Sequence, residues 1–240
     1  MAIDAGNTTV HFAVFRGENL VKEWRVETSR ISDDRSIRRR VSGYRNISKV
    51  IVSSVVPRLN RLIRRQFPGA LFVNHKNAGI KIRTKKPAEV GADRLVDARA
   101  VHELYGGPAI IIDFGTATTF DVINRQGEYL GGAIAPGLSL ARDTLYEHTA
   151  KLPWIEIKSP KNVIGKDTVM ALRSGLVFGY VAMVEGMVFR IKSKLQTSKS
   201  KVKVIATGGL AGLICKYTKV VDRIDPKLTL EGLRLIGGRA

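Results

Sequence analysis

The chain has 240 residues, 44% hydrophobic and 25% charged, proportions of a globular protein with an ample core rather than of a disordered chain. No uncharged apolar run reaches the ~18 residues of a membrane span, and no cationic segment followed by an apolar one opens the chain, so nothing in it directs the protein out of the cytoplasm. The single cysteine, Cys215, excludes an intrachain disulfide and a cysteine-based metal cage, while the formal charge of +19 attracts polyanions, nucleotides and nucleic acid included.

Residues 1–27 alternate as a three-strand meander, with Val10, Phe12 and Val14 on one face, Trp24 and Val26 later, and a break at Gly17-Glu18-Asn19. The first strand is short: three residues precede Asp4, so either it is truncated or the start lies upstream. Asp4-Ala5-Gly6-Asn7-Thr8-Thr9 follows as a turn of small and hydroxyl-bearing residues. The polar, basic stretch 28–47 reads as a helix with loose ends, and 49–56 as a buried strand. Pro57 opens a helix to Phe67, with Leu59, Leu62 and Ile63 on one stripe and Arg58, Arg61, Arg64 and Arg65 largely opposite, until Pro68-Gly69 stops it. A short strand at 71–73 and a basic segment at 79–86 lead through Pro87 to Glu89-Val90-Gly91-Ala92-Asp93-Arg94. A helix over 93–104 ends at Gly106-Gly107-Pro108.

Ile110-Ile111-Ile112 suits a central strand covered on both faces, and it delivers Asp113-Phe114-Gly115-Thr116-Ala117-Thr118-Thr119. Strands follow at 120–123 and 129–137, then a helix over 139–149. The pattern over 167–195 is a long helix, apolar almost all round and interrupted by Gly175, Gly179 and Gly186, which predicts burial inside its lobe or in a subunit interface. A charged linker at 192–203 leads into the strand Val204-Ile205-Ala206 and the turn Thr207-Gly208-Gly209-Leu210. A helix over 228–236 closes the chain.

The order Asp-x-Gly-(Asn/Thr) after a strand occurs twice, at Asp4 and Asp113, 109 residues apart. Its glycine lets a backbone N–H approach an anion, its hydroxyls can bind phosphate, and its carboxylate can hold a cation beside the phosphates. Singly, such a stretch is an ordinary structural turn. The recurrence, with the third glycine signal at Gly208, predicts two related half-domains, 1–105 and 106–240, facing one nucleotide. Neither a P-loop nor a dinucleotide fingerprint is present. Basic residues are dispersed among separate segments with few aromatics, which predicts nucleic-acid binding that is at most weak and nonspecific. His11, His75, His102 and His148 show no metal-ligand spacing.

Nearly end to end, the chain resembles the type III pantothenate kinases of the acetate kinase, sugar kinase, Hsp70 and actin superfamily. The likeness rests on Asp4-Ala5-Gly6-Asn7-Thr8, Glu89 to Arg94, Asp113 to Thr119, Gly127-Glu128-Tyr129-Leu130-Gly131-Gly132 and Ala206-Thr207-Gly208-Gly209-Leu210. It implies an α/β fold of two actin-like (ribonuclease H-like) lobes with a nucleotide cleft between them, and a cytoplasmic homodimer. It implies ATP-dependent phosphorylation of pantothenate to 4′-phosphopantothenate, the first step of coenzyme A biosynthesis, with Mg2+ and a monovalent cation, potassium or ammonium. By residue, it gives the ATP phosphates to Asp4, Ala5, Gly6, Asn7, Thr8, Thr9, Val10 and His11, a further nucleotide contact to Thr116, and the monovalent cation to Asp113. Pantothenate falls to Gly91, Ala92, Asp93, Arg94 and Thr168, with Asp93 accepting the hydroxyl proton.

Three positions depart from the family pattern: Thr84 stands where a tyrosine touches pantothenate, and Lys86 and Asp97 replace asparagines; the region from Arg30 to Asn46 is also short. Asp93 could instead cap the helix it begins. A nonenzymatic regulator or nucleic-acid-binding protein on the same scaffold is the competing reading, which the charge and the altered loop favour. Three carboxylates, Asp4, Asp93 and Asp113, argue for the enzyme, since a binder of polyanions gains nothing from them.

Overall fold

The computed structural model describes residues 1–44, 47–195 and 201–239. Arg45 and Asn46 of the expected 28–47 helix, and 196–200 of the expected linker, lie outside the described residues. Among the described residues ten strands form two five-stranded sheets with one plan. In the first, β1 (Ala2–Ala5), β2 (Thr9–Arg16), β3 (Asn19–Glu27), β4 (Ile51–Ser54) and β5 (Leu71–Phe72) lie in the order β3-β2-β1-β4-β5. In the second, β6 (Ala109–Phe114), β7 (Ala117–Ile123), β8 (Tyr129–Pro136), β9 (Lys203–Thr207) and β10 (Arg223–Ile224) lie in the order β8-β7-β6-β9-β10. β1 is antiparallel to β2 and parallel to β4; β6 is antiparallel to β7 and parallel to β9.

The chain divides into two compact units. Unit 1 comprises Met1–Gly106, Gly127–Leu130 and Lys227–Ala240; unit 2 comprises Gly107–Gln126 and Gly131–Pro226. The expected boundary after residue 105 falls beside Gly106, but two segments beyond it in sequence belong to unit 1. One is the closing helix α7 (Leu228–Arg239), which packs on β1 and on α3 (Ala92–Tyr105).

In unit 1, alternation along β2 and β3 turns Val10, Phe12 and Val26 into a core with Ile3 and Val52, and Trp24 stacks on Phe12 at 5.2 Å between centroids. The expected 28–47 helix is shorter. Thr28–Arg30 is a single 3-10 turn, and α1 (Asp34–Val41) begins only at Asp33, whose carboxylate accepts from the Ser36 amide at 2.7 Å in a capping box. α2 (Pro57–Gln66) starts on its proline and buries Leu59, Leu62 and Ile63 as its periodicity requires.

Unit 2 is built around α5 (Thr168–Leu195), with α4 (Leu138–Glu147) and the short α6 (Ala211–Ile214) packed against it. At 28 residues α5 is long and apolar enough to cross a membrane by length and composition. Its inward face, however, supplies Leu176, Val177, Tyr180, Val181, Val184 and Val188 to the core beneath β6 and β9. The expected burial inside its lobe is met on this face. Gly175, Gly179, Ala182 and Gly186 lie on the outward side without breaking the helix, and Phe189 is 73% exposed. Cys215 is half-buried against this core, and burial pushes its thiol up to about 11, so it stays protonated and unreactive near neutral pH.

Candidate active site

The first Asp-x-Gly turn hangs from the central strand of unit 1. β1 sets Asp4 between His11 of β2 and Ser53 of β4. The Gly6 amide donates to the Thr9 carbonyl at 3.0 Å and closes the turn, with Asn7 and Thr8 exposed. Thr28, itself buried, donates its hydroxyl to the Gly6 carbonyl at 2.7 Å and its amide to the Thr8 carbonyl at 2.9 Å. Three carbonyls of the turn are thus spent inside the protein, which removes the acceptors that would repel an approaching phosphate. Ala5 and Val10 are buried in the core, so any part they take goes through their backbone. Burial, reinforced by Arg25, pushes the His11 pKa down against the pull of Glu23, whose carboxylate lies 3.1 Å from the His11 Nε2. Near neutral pH the ring is therefore a hydrogen-bonding group and not a charge.

The second turn is braced by backbone. β6 sets Asp113 between Thr119 of β7 and Thr207 of β9. The Gly137 amide donates to the Thr116 carbonyl at 3.0 Å, and a side chain on Gly137 would collide with the Gly115 and Thr116 carbonyls. Gly208, at φ +91°, lies against the Asp113 carboxylate, and an added Cβ would stand 2.6 Å from the Phe114 backbone. Thr116 is exposed, Thr118 is buried, and Thr119 donates its hydroxyl to Asp121 at 2.9 Å. Among the described residues no group of three or more His, Cys, Asp or Glu gathers as a metal cage. The Asp113 carboxylate and the Ala117 carbonyl both face Gly115, hard oxygens whose chemistry fits a hard cation sharing its remaining ligands with phosphate.

Asp93 lies at the second position of α3. The N-cap is Gly91, so Asp93 is not the capping residue; one of its oxygens accepts from the Arg94 amide at 2.8 Å. That bond serves one first-turn donor. Ala92 is buried, Asp93 and Arg94 are partly exposed, and the Arg94 guanidinium stands 5.9 Å from the Tyr129 ring centroid. Asp4 to His11 and Gly91 to Arg94 thus belong to unit 1, and Asp113, Thr116 and Thr168 to unit 2. Thr168 is the exposed first residue of α5, directly after Asp167, whose carboxylate accepts from the Met170 amide at 2.8 Å.

The family model for type III pantothenate kinase matches residues 1–190. A type III pantothenate kinase of Moorella thermoacetica is 44% identical, over 98% of this chain and 97% of its own length. One of Paramagnetospirillum magneticum is 45% identical, over 97% and 94%. The chain belongs to the type III pantothenate kinase family. Among solved structures, a conserved candidate Baf family transcriptional activator of Campylobacter jejuni aligns with a TM-score of 0.66 at 19% identity, over 99% of this chain and 97% of that one. An inorganic polyphosphate/ATP-glucomannokinase of Arthrobacter aligns with a TM-score of 0.53 at 11% identity, over 99% and 98%. Such distant likenesses speak to the fold alone, and it is the two-lobed α/β fold of actin-like sugar kinases.

Two supports in this family member escaped the sequence reading. Thr28 sits in a polar stretch with no local signal that it braces a turn twenty residues away. Glu128 and Tyr129 lie in a recognisable motif, but the motif does not say what they hold. The Tyr129 amide donates to the Lys81 carbonyl and its carbonyl accepts from the Arg83 amide, both at 2.8 Å, and its side chain is fully buried. Glu128 accepts from the Arg83 guanidinium at 2.6 Å and lies 3.5 Å from the Lys81 ammonium. The segment is thereby pinned next to Thr84, whose hydroxyl is buried with no partner among the described residues.

Proposed function

We propose that the chain transfers the terminal phosphoryl group of ATP to the primary hydroxyl of pantothenate, giving 4′-phosphopantothenate and ADP, the first step of coenzyme A biosynthesis. Membership of the type III pantothenate kinase family carries the reading. Asp4, Gly6, Asn7, Thr8, Thr9 and His11, with the backbone of Ala5 and Val10, hold the phosphates, and Thr116 contacts the nucleotide. Asp93 takes the hydroxyl proton while the alcohol oxygen bonds to phosphorus and the bridging oxygen leaves with ADP. The Asp93 oxygen not bonded to the Arg94 amide is the one assigned to that proton. Gly91, Ala92, Arg94 and Thr168 position pantothenate. Asp113 would hold potassium or ammonium, which with Mg2+ would supply charge neutralisation for the transferring group.

A cytoplasmic location and a homodimer complete the reading. Leu176, Val181, Val184 and Val188 face their own core, so a twofold contact through α5 would use its outward side near Phe189 instead, and sedimentation near twice 26.4 kDa is expected. A coupled assay tests the activity: ADP release should require pantothenate and be stimulated by potassium or ammonium over sodium. ADP release indifferent to pantothenate would refute the kinase reading. In Asp113→Ala the potassium stimulation should vanish; its persistence would move the cation elsewhere.

A further inference from the structure

The basic segments that sequence reading left dispersed are partly gathered by the fold. In unit 1, α1 and α2 pack side by side, burying Ile37 and Val41 of one and Leu59, Leu62 and Ile63 of the other in one core. Arg65 of α2 reaches Asp34 of α1 at 3.4 Å. Each helix carries four arginines and no lysine, and Asp34 is the one carboxylate on either. Three of the guanidinium groups are engaged: Arg58 on the Ile31 and Thr28 carbonyls, Arg64 over the Phe72 ring at 4.0 Å, and Arg65 on Asp34. Arg35, Arg38, Arg39, Arg40 and Arg61 are exposed, and among the described residues none of them is in an ion pair.

We propose that this α1–α2 face binds a nucleic-acid duplex through its phosphates, without reading sequence. The planar guanidinium fork matches phosphate bidentately where an ammonium offers only a point charge. Five like charges on two packed helices repel each other in the free protein, and a polyanion relieves that repulsion. Other anionic partners fit less well. An anionic membrane takes apolar side chains into its interface as well as charge, and neither helix exposes a large hydrophobic residue. An acidic protein partner needs an apolar or aromatic centre to its contact, and a single strand needs aromatic rings to stack on. Phosphates on a duplex ask only for cations.

Fluorescence anisotropy of the full chain with a labelled random duplex, between about 50 and 200 mM salt, tests the proposal. Arg38→Glu/Arg39→Glu/Arg61→Glu should weaken binding at least about tenfold and flatten the log–log salt slope by about 3, near 0.9 per lost phosphate contact. The same charge change placed on unit 2, Lys151→Glu/Lys161→Glu/Lys194→Glu, should cost less than about threefold. Kinase turnover should be unchanged in both, and matching melting curves should establish that both fold. If the arginine variant melts early, the milder Arg38→Gln/Arg39→Gln/Arg61→Gln takes its place. Equal losses in the two variants would show a diffuse field and overturn the assignment. So would no binding at the lowest salt, or capture by vesicles of anionic phospholipid without capture of the duplex.

Discussion

The turn after β1 and the turn after β6 occupy the same place in two sheets of the same strand order, yet they are held in place by different means. The first is braced by one residue, Thr28, whose hydroxyl takes up the Gly6 carbonyl and whose amide takes up the Thr8 carbonyl. The second is clamped by backbone, with Gly137 on the Thr116 carbonyl and Gly208 against Asp113 and Phe114. A turn held from one side can stay open towards a polyphosphate. One crowded by two neighbouring segments fixes a single carboxylate, as a bound cation would require. In the proposed function the repeat preserves a topology while its two copies would divide the handling of negative and positive charge.

That proposed division would leave neither turn to accept a proton, a role the proposal gives to Asp93, outside both. Asp93→Asn should keep the fold and ATP binding, since the amide can still accept from the Arg94 N–H, but lower kcat by about 10²–10⁴, about 3–5 kcal/mol of barrier. Turnover within threefold of the parent, measured at saturating ATP and pantothenate, would return the base to Asp4 or Asp113 and break the comparison.

The clamp itself can be tested by one methyl group in each turn. Gly208→Ala forces a side chain into a left-handed conformation and against the Phe114 backbone, and should cost about 2–4 kcal/mol in denaturant unfolding. Gly6→Ala, whose added Cβ would stand 3.2 Å from the Thr9 carbonyl at an ordinary φ, should cost less than about 1.5 kcal/mol. Equal losses would mean that the turns are braced alike. In the first turn the weight rests on Thr28. Thr28→Val leaves the part-buried Gly6 carbonyl without its donor, an expected loss of about 1–2 kcal/mol, and should raise the KM for ATP while leaving that for pantothenate alone. An unchanged KM for ATP would reduce Thr28 to a folding residue.

What the sequence made legible follows the same line. Strand periodicity, Pro57 and the isoleucine run act over a few residues, and β2, α2 and β6 formed where they predicted. The Asp-x-Gly turns were visible because their residue types are unusual for their place. What holds them was not: Thr28, Gly137 and Gly208 act across 20 to 100 residues, and nothing local marks a hydroxyl as a brace. For α5 the sequence did not mark which side faces its own core. Composition reports how apolar a helix is, whereas the glycines and alanines on its outer face add to that score without needing burial.

The smallest expected effect concerns a group outside both turns. Thr84 stands where the family carries a tyrosine that touches pantothenate, and its hydroxyl is buried with no partner among the described residues. An unpaired buried hydroxyl is a cost to the free protein, and valine of the same shape removes it. Thr84→Val should therefore leave stability unchanged or raise it by up to about 1 kcal/mol. If pantothenate supplies the missing partner, the same change should raise its KM about five- to tenfold, about 1 kcal/mol, with kcat and the KM for ATP unchanged. A stability gain with no change in the KM for pantothenate would show that the loop pinned by Glu128 and Tyr129 binds its substrate through other groups, and that the hydroxyl is simply left unpaired.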